Sequence, residues 1–361
     1  MIIFGSPARY VQGRGVLEQI GTELARLGNS AVLVIDPAVR AFLGDIFERS
    51  CAAASVTLRT IDFGGEATPD EIDRLERELG GAKPAVVVAA GGGKCIDIGK
   101  ALGGRLGTRI ATVPTAASND APTSHVYVLY DRDHRLLRVE KLARNPDLVI
   151  VDVDVIARAP EHLLVAGIGD ALVKKYEVEQ CVRNAGRNVF GSSPSMAALF
   201  LARGCYDVLR ADTSAALAAV RARTANDALE RIVEACVLMS GLSFESGGLC
   251  IAHAMTRGLS AVQPVANALH GYQVAYGVTV QLVLERRSDA FLADHAAYCT
   301  EAGLPLSLAA MGLPQASSDQ LRTIAELTLA VPHLDNFDRP VAREEFIGAM
   351  QRVEQSYAAL A

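Results

Sequence analysis

The hydrophobic pattern of the chain changes near residue 152, and this change constrains the fold more than any other feature of the sequence. Before that point, short β-branched runs alternate with amphipathic helical stretches, which is typical of βα units around a largely parallel sheet. The predicted strands span residues 31–36, 85–90, 110–113 and 148–152. Beyond it, Ala- and Leu-rich segments with i, i+3, i+4 periodicity predict helices only. The sequence therefore predicts an α/β domain followed by an all-α domain.

The length of 361 residues exceeds the usual limit of one hydrophobic core, so two domains are expected. We predict an α/β domain over residues 1–155 and a helical domain over residues 156–361, joined by a packed hinge at 152–159. Two alternating runs around an Asp/Arg/His turn predict a hairpin, attached to the sheet, over residues 125–142. The helices predicted with most periodicity span residues 196–208, 215–222, 226–239 and 321–329.

Composition excludes several classes of partner. No run of about 18 apolar residues occurs, and the start MIIFGSPARY lacks the layout of a secretory signal, so we expect a soluble, cytoplasmic protein without a membrane partner. The net charge of −6 and the absence of a Lys/Arg block argue against nucleic acid. Seven scattered cysteines without a CxxC pair argue against disulfides and against a thiolate zinc site. A small-molecule partner is favoured.

The segment VVVAAGGGKCIDIGKAL carries a candidate phosphate loop at Gly91, Gly92 and Gly93. Glycines between a buried strand and a helix let a pyrophosphate approach the backbone, and the helix N-terminus offers free N–H groups. The segment matches neither GxGxxG nor the Walker motif. An ordinary turn would also use glycine, and Lys94 can equally be a solvated surface lysine, so the residues alone leave both interpretations open.

Asp36 ends the first predicted strand, AVLVID, where a carboxylate can accept hydrogen bonds from an adenosine ribose. A carboxylate there would repel a 2′-phosphate, which favours NAD over NADP. Because Pro37 follows, Asp36 also fits the start of a helix.

Three residues of the helical half are candidate metal ligands: Asp170, His253 and His270. Small residues flank both histidines and leave room for an ion. One carboxylate and two imidazoles leave a coordination position open, as in catalytic sites. The alternative is a surface or capping acid and two ordinary helix histidines, and a spacing of 17 residues between the histidines does not exclude it. The remaining histidines are expected at hairpin, capping or surface positions: His125, His134, His162, His295 and His333.

Eight ordered segments, taken together, resemble the glycerol dehydrogenase branch of the iron-containing, metal-dependent alcohol dehydrogenase superfamily, which has a dehydroquinate-synthase-like fold. The segments are FGSPARYVQGRGVL, AAGGGKCIDIGKAL, ATVPTAASNDAPTS, ARNPDLVIVD, VAGIGDALVKKYE, LSFESGGLCIAHAM, HGYQVAYGVTVQLVLE and LPLSLAAMGL. They span nearly the whole chain, so the resemblance is far more specific than any single loop.

The resemblance implies a Rossmann-like N-terminal domain that binds NAD, a helical C-terminal domain, and a divalent metal in the cleft between them. It assigns the metal to Asp170, His253 and His270, and a catalytic, substrate-facing acid to Asp120. The implied cofactor contacts are Gly92, Gly93, Lys94, Asp97, and the segment 112–118 with Thr115 and Ser118, to which Asp36 is added from its place at the strand end. Phe244 and Arg257 are further candidate substrate contacts.

The chain departs from the family pattern after the first metal histidine. Where the family commonly has His-Ala-Ile-His-Asn-Gly, this chain has Thr256 and Arg257 in the fourth and fifth positions. Loss of that imidazole favours Zn²⁺, with Fe²⁺ or another divalent ion as the alternative. Arg257 would suit a carboxylate or phosphate on the substrate if it faces the cleft, but an exposed helix face is an equal alternative.

The resemblance implies an NAD-dependent, metal-dependent oxidation of a small polyol or vicinal diol, with glycerol to dihydroxyacetone as the default. The alternatives are a different secondary alcohol, such as an aminocyclitol or an anionic hydroxy compound, and a dehydroquinate-synthase-like cyclase. A cyclase needs a Lys/Arg cluster for a substrate phosphate, and none stands near the ligand motifs. A non-catalytic binding protein is disfavoured because the ligands and the glycine loop occur together.

The resemblance also suggests a homo-oligomer, with octamers in this branch. No role is assigned to residues 330–341.

Overall fold

A computed structural model describes residues 1–131 and 136–358. Its main sheet has six strands in the order β1-β8-β5-β4-β2-β3, and every neighbouring pair is parallel. The strands of the chain are β1 (Tyr10–Gly13), β2 (Ser30–Ile35), β3 (Thr57–Asp62), β4 (Val86–Gly91), β5 (Arg109–Pro114), β6 (Val126–Tyr130), β7 (Leu136–Lys141) and β8 (Leu148–Asp152).

The four predicted strands are confirmed as β2, β4, β5 and β8. Helices cover both faces of a parallel sheet, so its inner strands appear in the sequence as continuous apolar runs; every residue of β4 and β8 is buried. The two strands that sequence reasoning missed, β1 and β3, form the edges of the sheet. Their half-exposed, polar sequences YVQG and TLRTID lack the apolar signal.

Fourteen helices occur in the described residues, together with four short 3₁₀ helices and one π turn. The helices are α1 (Ile20–Ala25), α2 (Pro37–Ala53), α3 (Pro69–Leu79), α4 (Gly93–Leu106), α5 (Val153–Ile156), α6 (Glu161–Arg183), α7 (Met196–Arg221), α8 (Asp227–Glu234), α9 (Ser240–Gly247), α10 (Ile251–Leu259), α11 (His270–Leu284), α12 (Asp289–Ala302), α13 (Ser318–Leu329) and α14 (Arg343–Tyr357). The 3₁₀ helices are Val16–Gln19, Val265–Asn267, Ala309–Met311 and Pro332–Asn336, and the π turn is Ala235–Met239.

The predicted α/β-then-helical order is confirmed. Beyond Asp152 the described residues form helices and connecting loops, apart from one isolated parallel bridge between Ile2 and Ser193. The predicted domain boundary between residues 155 and 156 falls inside α5 and stays a prediction. Within the described residues no single helix is long and apolar enough to span a bilayer, although the bent pair Asp227–Gly247 and Ile251–Leu259 passes by length and composition.

The prediction of separate helices at 196–208 and 215–222 is wrong, because both lie in the continuous helix α7. The polar residues between them are tied within the fold: the Thr213 hydroxyl donates to the Leu209 carbonyl at 2.7 Å, and Asp212 pairs with Arg231 at 2.7 Å. With these polar groups satisfied, the helix continues through residues that the sequence analysis interpreted as the gap between two helices. The segment predicted at 226–239 begins as α8 and continues through the π turn into α9.

The predicted hairpin exists as the antiparallel pair β6 and β7, but it is not part of the main sheet as expected. It forms a separate two-stranded sheet that is bonded to α4, where Asp97 Oδ2 accepts the N–H of Val128 at 3.1 Å. The turn predicted between the two runs, with His134, falls on residues 132–135, which lie outside the described residues.

All seven cysteines are buried and free, as expected. The prediction for the other histidines is wrong at His295, which is buried inside α12, whereas His125 lies at the base of the hairpin as predicted and its carbonyl accepts the N–H of Leu142 at 2.8 Å. His125 stacks on Phe190 with ring centroids 4.5 Å apart, and His295 Nε2 lies 3.1 Å from the Thr279 hydroxyl. Each ring thus has a packing partner, which is why a polar side chain is tolerated there.

Candidate active site

The chain connections leave β2 and β4 towards opposite edges of the sheet. The carboxyl ends of these two neighbouring strands therefore border a crevice. β2 connects to β3 on one side, and β4 connects to β5 on the other. Asp36 follows β2 and donates its N–H to Ala90 O at 3.2 Å, while Thr115 follows β5 and donates to Gly91 O at 3.1 Å. Open α/β sheets bind their ligands where the connections diverge in this way. The structure therefore brings Asp36, the glycine loop and Thr115 together.

The N-terminus of α4 is open at this crevice. Gly92 precedes the helix in an extended conformation, and a Cβ atom built there has no neighbour within 4 Å. First-turn N–H groups of a helix have no intrahelical acceptor, and those of Gly93, Lys94 and Cys95 donate to no other described residue. Free N–H groups, a positive dipole end and open space fit a pyrophosphate.

The other implied cofactor residues are placed less directly. The Lys94 ammonium pairs with both carboxylate oxygens of Glu66, at 2.8 and 3.0 Å. Asp97 is buried, which raises the pKa of its carboxyl to about 6, and it holds the hairpin backbone. Asp36 accepts the N–H of Ala38 at 2.9 Å and so caps α2, as the alternative interpretation expected. Ser118 is half-buried in the loop after β5. Contacts of these residues with a cofactor stay predictions.

Asp170, His253 and His270 converge, with ligand atoms that all lie within 4.8 Å of one another. Asp170 lies in the middle of α6, His253 in the first turn of α10, and His270 is the first residue of α11. Asp170 Oδ2 is buried without a hydrogen-bond partner in the protein, and a bound ion would satisfy a buried acceptor of this kind. One carboxylate and two imidazoles are a suitable ligand set for a divalent transition metal.

Glycine contacts set the separation of the helices that carry these ligands. A Cβ at Gly271 would lie 1.7 Å from Ala166 O, and one at Gly169 would lie 2.4 Å from Gly271 O. The backbones of α6 and α11 therefore touch, which places His270 Nε2 3.7 Å from Asp170 Oδ1.

Lys174 follows Asp170 by one helical turn and lies among the ligand atoms. Its Nζ is 2.6 Å from Asp170 Oδ1, 2.9 Å from His253 Nε2 and 3.2 Å from Asp120 Oδ2. Burial opposes the charge of Lys174, but the carboxylates of Asp120 and Asp170 outweigh it and hold its pKa above the usual value. Sequence reasoning missed Lys174, although the i, i+4 spacing from Asp170 would have indicated it.

Glu177, one further turn along α6, supports His253 from behind. Its Oε2 lies 2.5 Å from His253 Nδ1, and its Oε1 accepts the backbone N–H groups of Cys250 and His253, each at 2.9 Å. Burial would raise the pKa of Glu177, but His253 outweighs burial and lowers it, so the carboxylate is ionised. A carboxylate behind a histidine fixes its orientation and leaves Nε2 for the ligand side. This residue, too, was missed from the sequence.

Asp120 reaches the same cluster from the loop after β5. Its Oδ2 accepts the Ser240 hydroxyl at 2.6 Å and lies 3.2 Å from Lys174 Nζ. Burial, with the negative charge of Asp170, raises the pKa of the Asp120 carboxyl. The ring of Phe244 lies 5.2 Å from Lys174 Nζ. The structure thus brings Asp120 and Phe244 to Lys174, next to the candidate metal ligands.

Arg257 lies one turn after His253 on α10 and is exposed. No described residue forms a hydrogen bond or an ion pair with its guanidinium. Thr256 donates its hydroxyl to the His253 carbonyl at 2.7 Å and supplies no ligand.

Comparisons with known proteins agree with this architecture. Residues 7–153 match the family model described as iron-containing alcohol dehydrogenase. A glycerol dehydrogenase of Pseudomonas putida is 38% identical over 351 residues, covering 97% of this chain and 96% of the relative. A glycolaldehyde reductase of Halobacterium salinarum is 37% identical, covering 90% and 89%. The crystal structure of glycerol dehydrogenase from Schizosaccharomyces pombe is 32% identical, covers 100% of this chain and 92% of that chain, and superimposes with a TM-score of 0.95.

These relatives, together with the shared fold, define the chain as an alcohol dehydrogenase of the metal-dependent class. The chain belongs to the iron-containing alcohol dehydrogenase family, in the branch of the glycerol dehydrogenases.

Proposed function

We propose that this enzyme oxidises a small polyol or vicinal diol, with glycerol to dihydroxyacetone as the default reaction, and transfers the hydride to NAD⁺. The observation that carries the proposal is the convergence of Asp170, His253 and His270 next to Asp120. Asn119, the residue before Asp120, lies at the start of α4, since its Nδ2 is 2.5 Å from a Cβ built at Gly93. Glycerol dehydrogenases among the relatives support the choice of substrate.

Asp170, His253 and His270 would hold a divalent metal, for which we propose Zn²⁺, with Fe²⁺ as the alternative. Among the described residues no further imidazole or thiolate joins the three ligands, which supports zinc over a metal with more histidines. When bound, such an ion supplies a Lewis acid that lowers the pKa of a substrate hydroxyl. Glu177 fixes the His253 ring, and Lys174 holds Asp170 and Asp120 in place.

The N–H groups at the start of α4 would bind the cofactor pyrophosphate, and Asp36 would accept the ribose hydroxyls, which favours NAD over NADP. NAD⁺ supplies the acceptor for the hydride that leaves the substrate carbon. Asp120 orients a second substrate hydroxyl or accepts its proton, and Phe244 contributes apolar surface next to the cluster.

The formal charges of the cluster favour an uncharged alcohol. Counted in their ordinary ionisation states, Asp120, Asp170 and Glu177 contribute three negative charges and Lys174 one positive charge. A divalent ion would bring the total formal charge of the cluster to zero. A carboxylate or phosphate group on the substrate would then add a negative charge without a partner.

Arg257 favours a second candidate function, oxidation of an anionic hydroxy compound. Its guanidinium is exposed, one turn from His253, and no described residue pairs with it. A substrate carboxylate or phosphate could bind it bidentately. In that case the anionic group would lie at the rim of the site, away from Asp120.

The experiment is NADH formation by the zinc-loaded enzyme with a panel of neutral polyols and anionic hydroxy compounds, at matched NAD⁺ and NADP⁺ concentrations. Chelator-sensitive activity that is highest with glycerol or a 1,2-diol supports the proposal. Activity restricted to anionic substrates and lost in Arg257→Gln supports the second candidate. NADH that never accumulates while substrate is consumed indicates the cyclase, which returns its hydride within a turnover.

We also propose a homo-oligomeric assembly, for which the resemblance suggests eight subunits, and a cytoplasmic location. Sedimentation of the purified protein tests the first, and cell fractionation tests the second.

A further inference from the structure

We infer that Ser240 is a positioning residue that fixes one oxygen of Asp120, so that the other oxygen recognises the second hydroxyl of a diol. This inference rests on the proposed function. It concerns the discrimination between diols and simple alcohols, which the metal ligands alone do not provide.

The two oxygens of Asp120 have different surroundings. Oδ2 accepts the Ser240 hydroxyl at 2.6 Å and lies 3.2 Å from Lys174 Nζ. Oδ1 accepts no hydrogen bond from any described residue. Because two donors hold Oδ2, the plane of the carboxylate is fixed and Oδ1 keeps its acceptor capacity for a ligand.

The loop that carries Asp120 is held between two helices. A Cβ at Gly167 on α6 would lie 1.8 Å from Ala117 O, and a Cβ at Gly241 on α9 would lie 1.9 Å from the Thr123 hydroxyl. The loop backbone contacts Gly167 and the Thr123 side chain contacts Gly241, and neither glycine has a side chain that would hold the loop away, so the loop has little freedom. The carboxylate therefore depends on its side-chain donors for its final orientation.

The π turn before α9 contributes to the same contact. Val237 lies inside this turn, and its carbonyl accepts the Thr123 hydroxyl at 2.8 Å. A π turn inserts one residue into a helix and therefore rotates the succeeding residues by roughly 100° about the helix axis. Ser240 is the first residue after the turn, so the insertion decides which way its hydroxyl points.

Recognition of a second hydroxyl has a simple energetic basis. A diol donates to Oδ1, whereas a simple alcohol of similar shape leaves this acceptor without a donor from the substrate. A site whose polar group hydrogen-bonds a substrate hydroxyl discriminates against an analogue that lacks this hydroxyl. Ser240 makes this recognition sharper because it removes the alternative orientations of Asp120.

The test compares Ser240→Ala with Ser243→Ala in the metal-loaded enzyme. Ser243 lies in the same helix, is equally buried, and donates its hydroxyl to the Ser240 carbonyl at 2.9 Å, so it controls for loss of a buried hydroxyl. We expect Ser240→Ala to lower kcat/KM for 1,2-propanediol about tenfold and kcat/KM for 2-propanol less than about twofold. Equal losses for the two alcohols, or equal effects of the two variants, would overturn the inference.

A double-mutant cycle with Asp120→Asn shows whether Ser240 acts through Asp120. In that background we expect Ser240→Ala to change the ratio of kcat/KM for the two alcohols by less than about twofold. An undiminished tenfold change would contradict the inference. If Ser240→Ala fails to fold, Ser240→Cys keeps the volume with a weaker donor and carries the same expectation.

The same data separate this inference from the proposed function. If the wild-type enzyme forms no NADH from any diol, the proposed function fails. If it oxidises diols and Ser240→Ala keeps the wild-type ratio for the two alcohols, only the inference fails. Zinc affinity, measured by competition with a chelator, should be the same in Ser240→Ala and Ser243→Ala.

Discussion

The Lys174 ammonium lies 2.6 Å from Asp170 Oδ1, one turn further along α6. It is buried, and it also contacts Asp120, His253 and the ring of Phe244. A permanent cation thus stands next to the oxygen and nitrogen atoms that would hold a metal. It balances the carboxylates of the cluster, but it also repels a second cation.

Replacing Lys174 by Met should therefore tighten zinc binding. We expect the dissociation constant to fall about tenfold, because the variant removes a positive charge beside two ligand residues. Competition with a chromophoric chelator measures the change. Lys175→Met is the matched control, since Lys175 pairs with Glu179 on the outer face of α6. Unchanged or weaker zinc binding by Lys174→Met would show that the ammonium does not oppose the metal.

Glu177→Gln should weaken zinc binding by about 10- to 100-fold. The amide keeps an oxygen for the N–H groups of Cys250 and His253, so α10 should stay capped, but it removes the negative charge behind His253 Nδ1. The same chelator competition measures the effect, with Glu179→Gln as the control. A wild-type affinity in Glu177→Gln would mean that His253 needs no charged support.

Gly92→Ala should raise KM for NAD⁺ by about tenfold or more while the melting temperature stays within about 2 °C of wild type. Gly92 has φ −77° and ψ −178°, which alanine adopts freely, and its Cβ would meet no atom of the protein. Any effect therefore arises from the space that the cofactor needs. Initial rates at varied NAD⁺, with saturating diol, measure it. A wild-type KM would remove Gly92 from the cofactor site.

The stability of the protein should fall below pH 6.5 because of His295. Burial lowers the pKa of this ring to about 4, so the unfolded chain binds its proton first and the contribution is lost as the pH falls from about 6.5 towards 4. The loss at pH 5, relative to pH 7.5, should be about 2 kcal/mol.

Urea unfolding of wild type and His295→Asn at both pH values isolates this contribution, because other titrating groups are common to the two proteins. The variant should lose about 2 kcal/mol less than wild type between pH 7.5 and pH 5. The same pH dependence in both proteins would show that His295 is not a buried neutral ring.

The sequence predicted the inner strands and the helical half because burial leaves a continuous apolar run, as in β4, or a helical period, as in α13. It missed the edge strand β3, whose polar residues lie on an exposed face. The sequence analysis also divided α7 into two helices at its polar residues. Asp212 is one of these residues, and its partner Arg231 belongs to α8, so the pairing could not be read from the sequence of α7.

The site was predictable only in part. Asp170, His253 and His270 remained open from the residues alone, because sequence spacing does not show which helices touch, and the resemblance selected them. Lys174 and Glu177 share one face of α6 with Asp170, so helical spacing could have indicated both. Ser240 left no such signal: its partner, Asp120, is 120 residues away, and a serine inside a helix is ordinary.

Zinc titration of chelator-treated enzyme, with NADH formed from glycerol as the readout, tests the central claim most directly. We predict that activity returns in proportion to added zinc and reaches a plateau at about one ion per chain, as expected for one cluster of three ligands. His253→Ala should remain inactive at every zinc concentration. Full activity without added metal, or full activity of His253→Ala, would contradict the assignment of the metal to Asp170, His253 and His270.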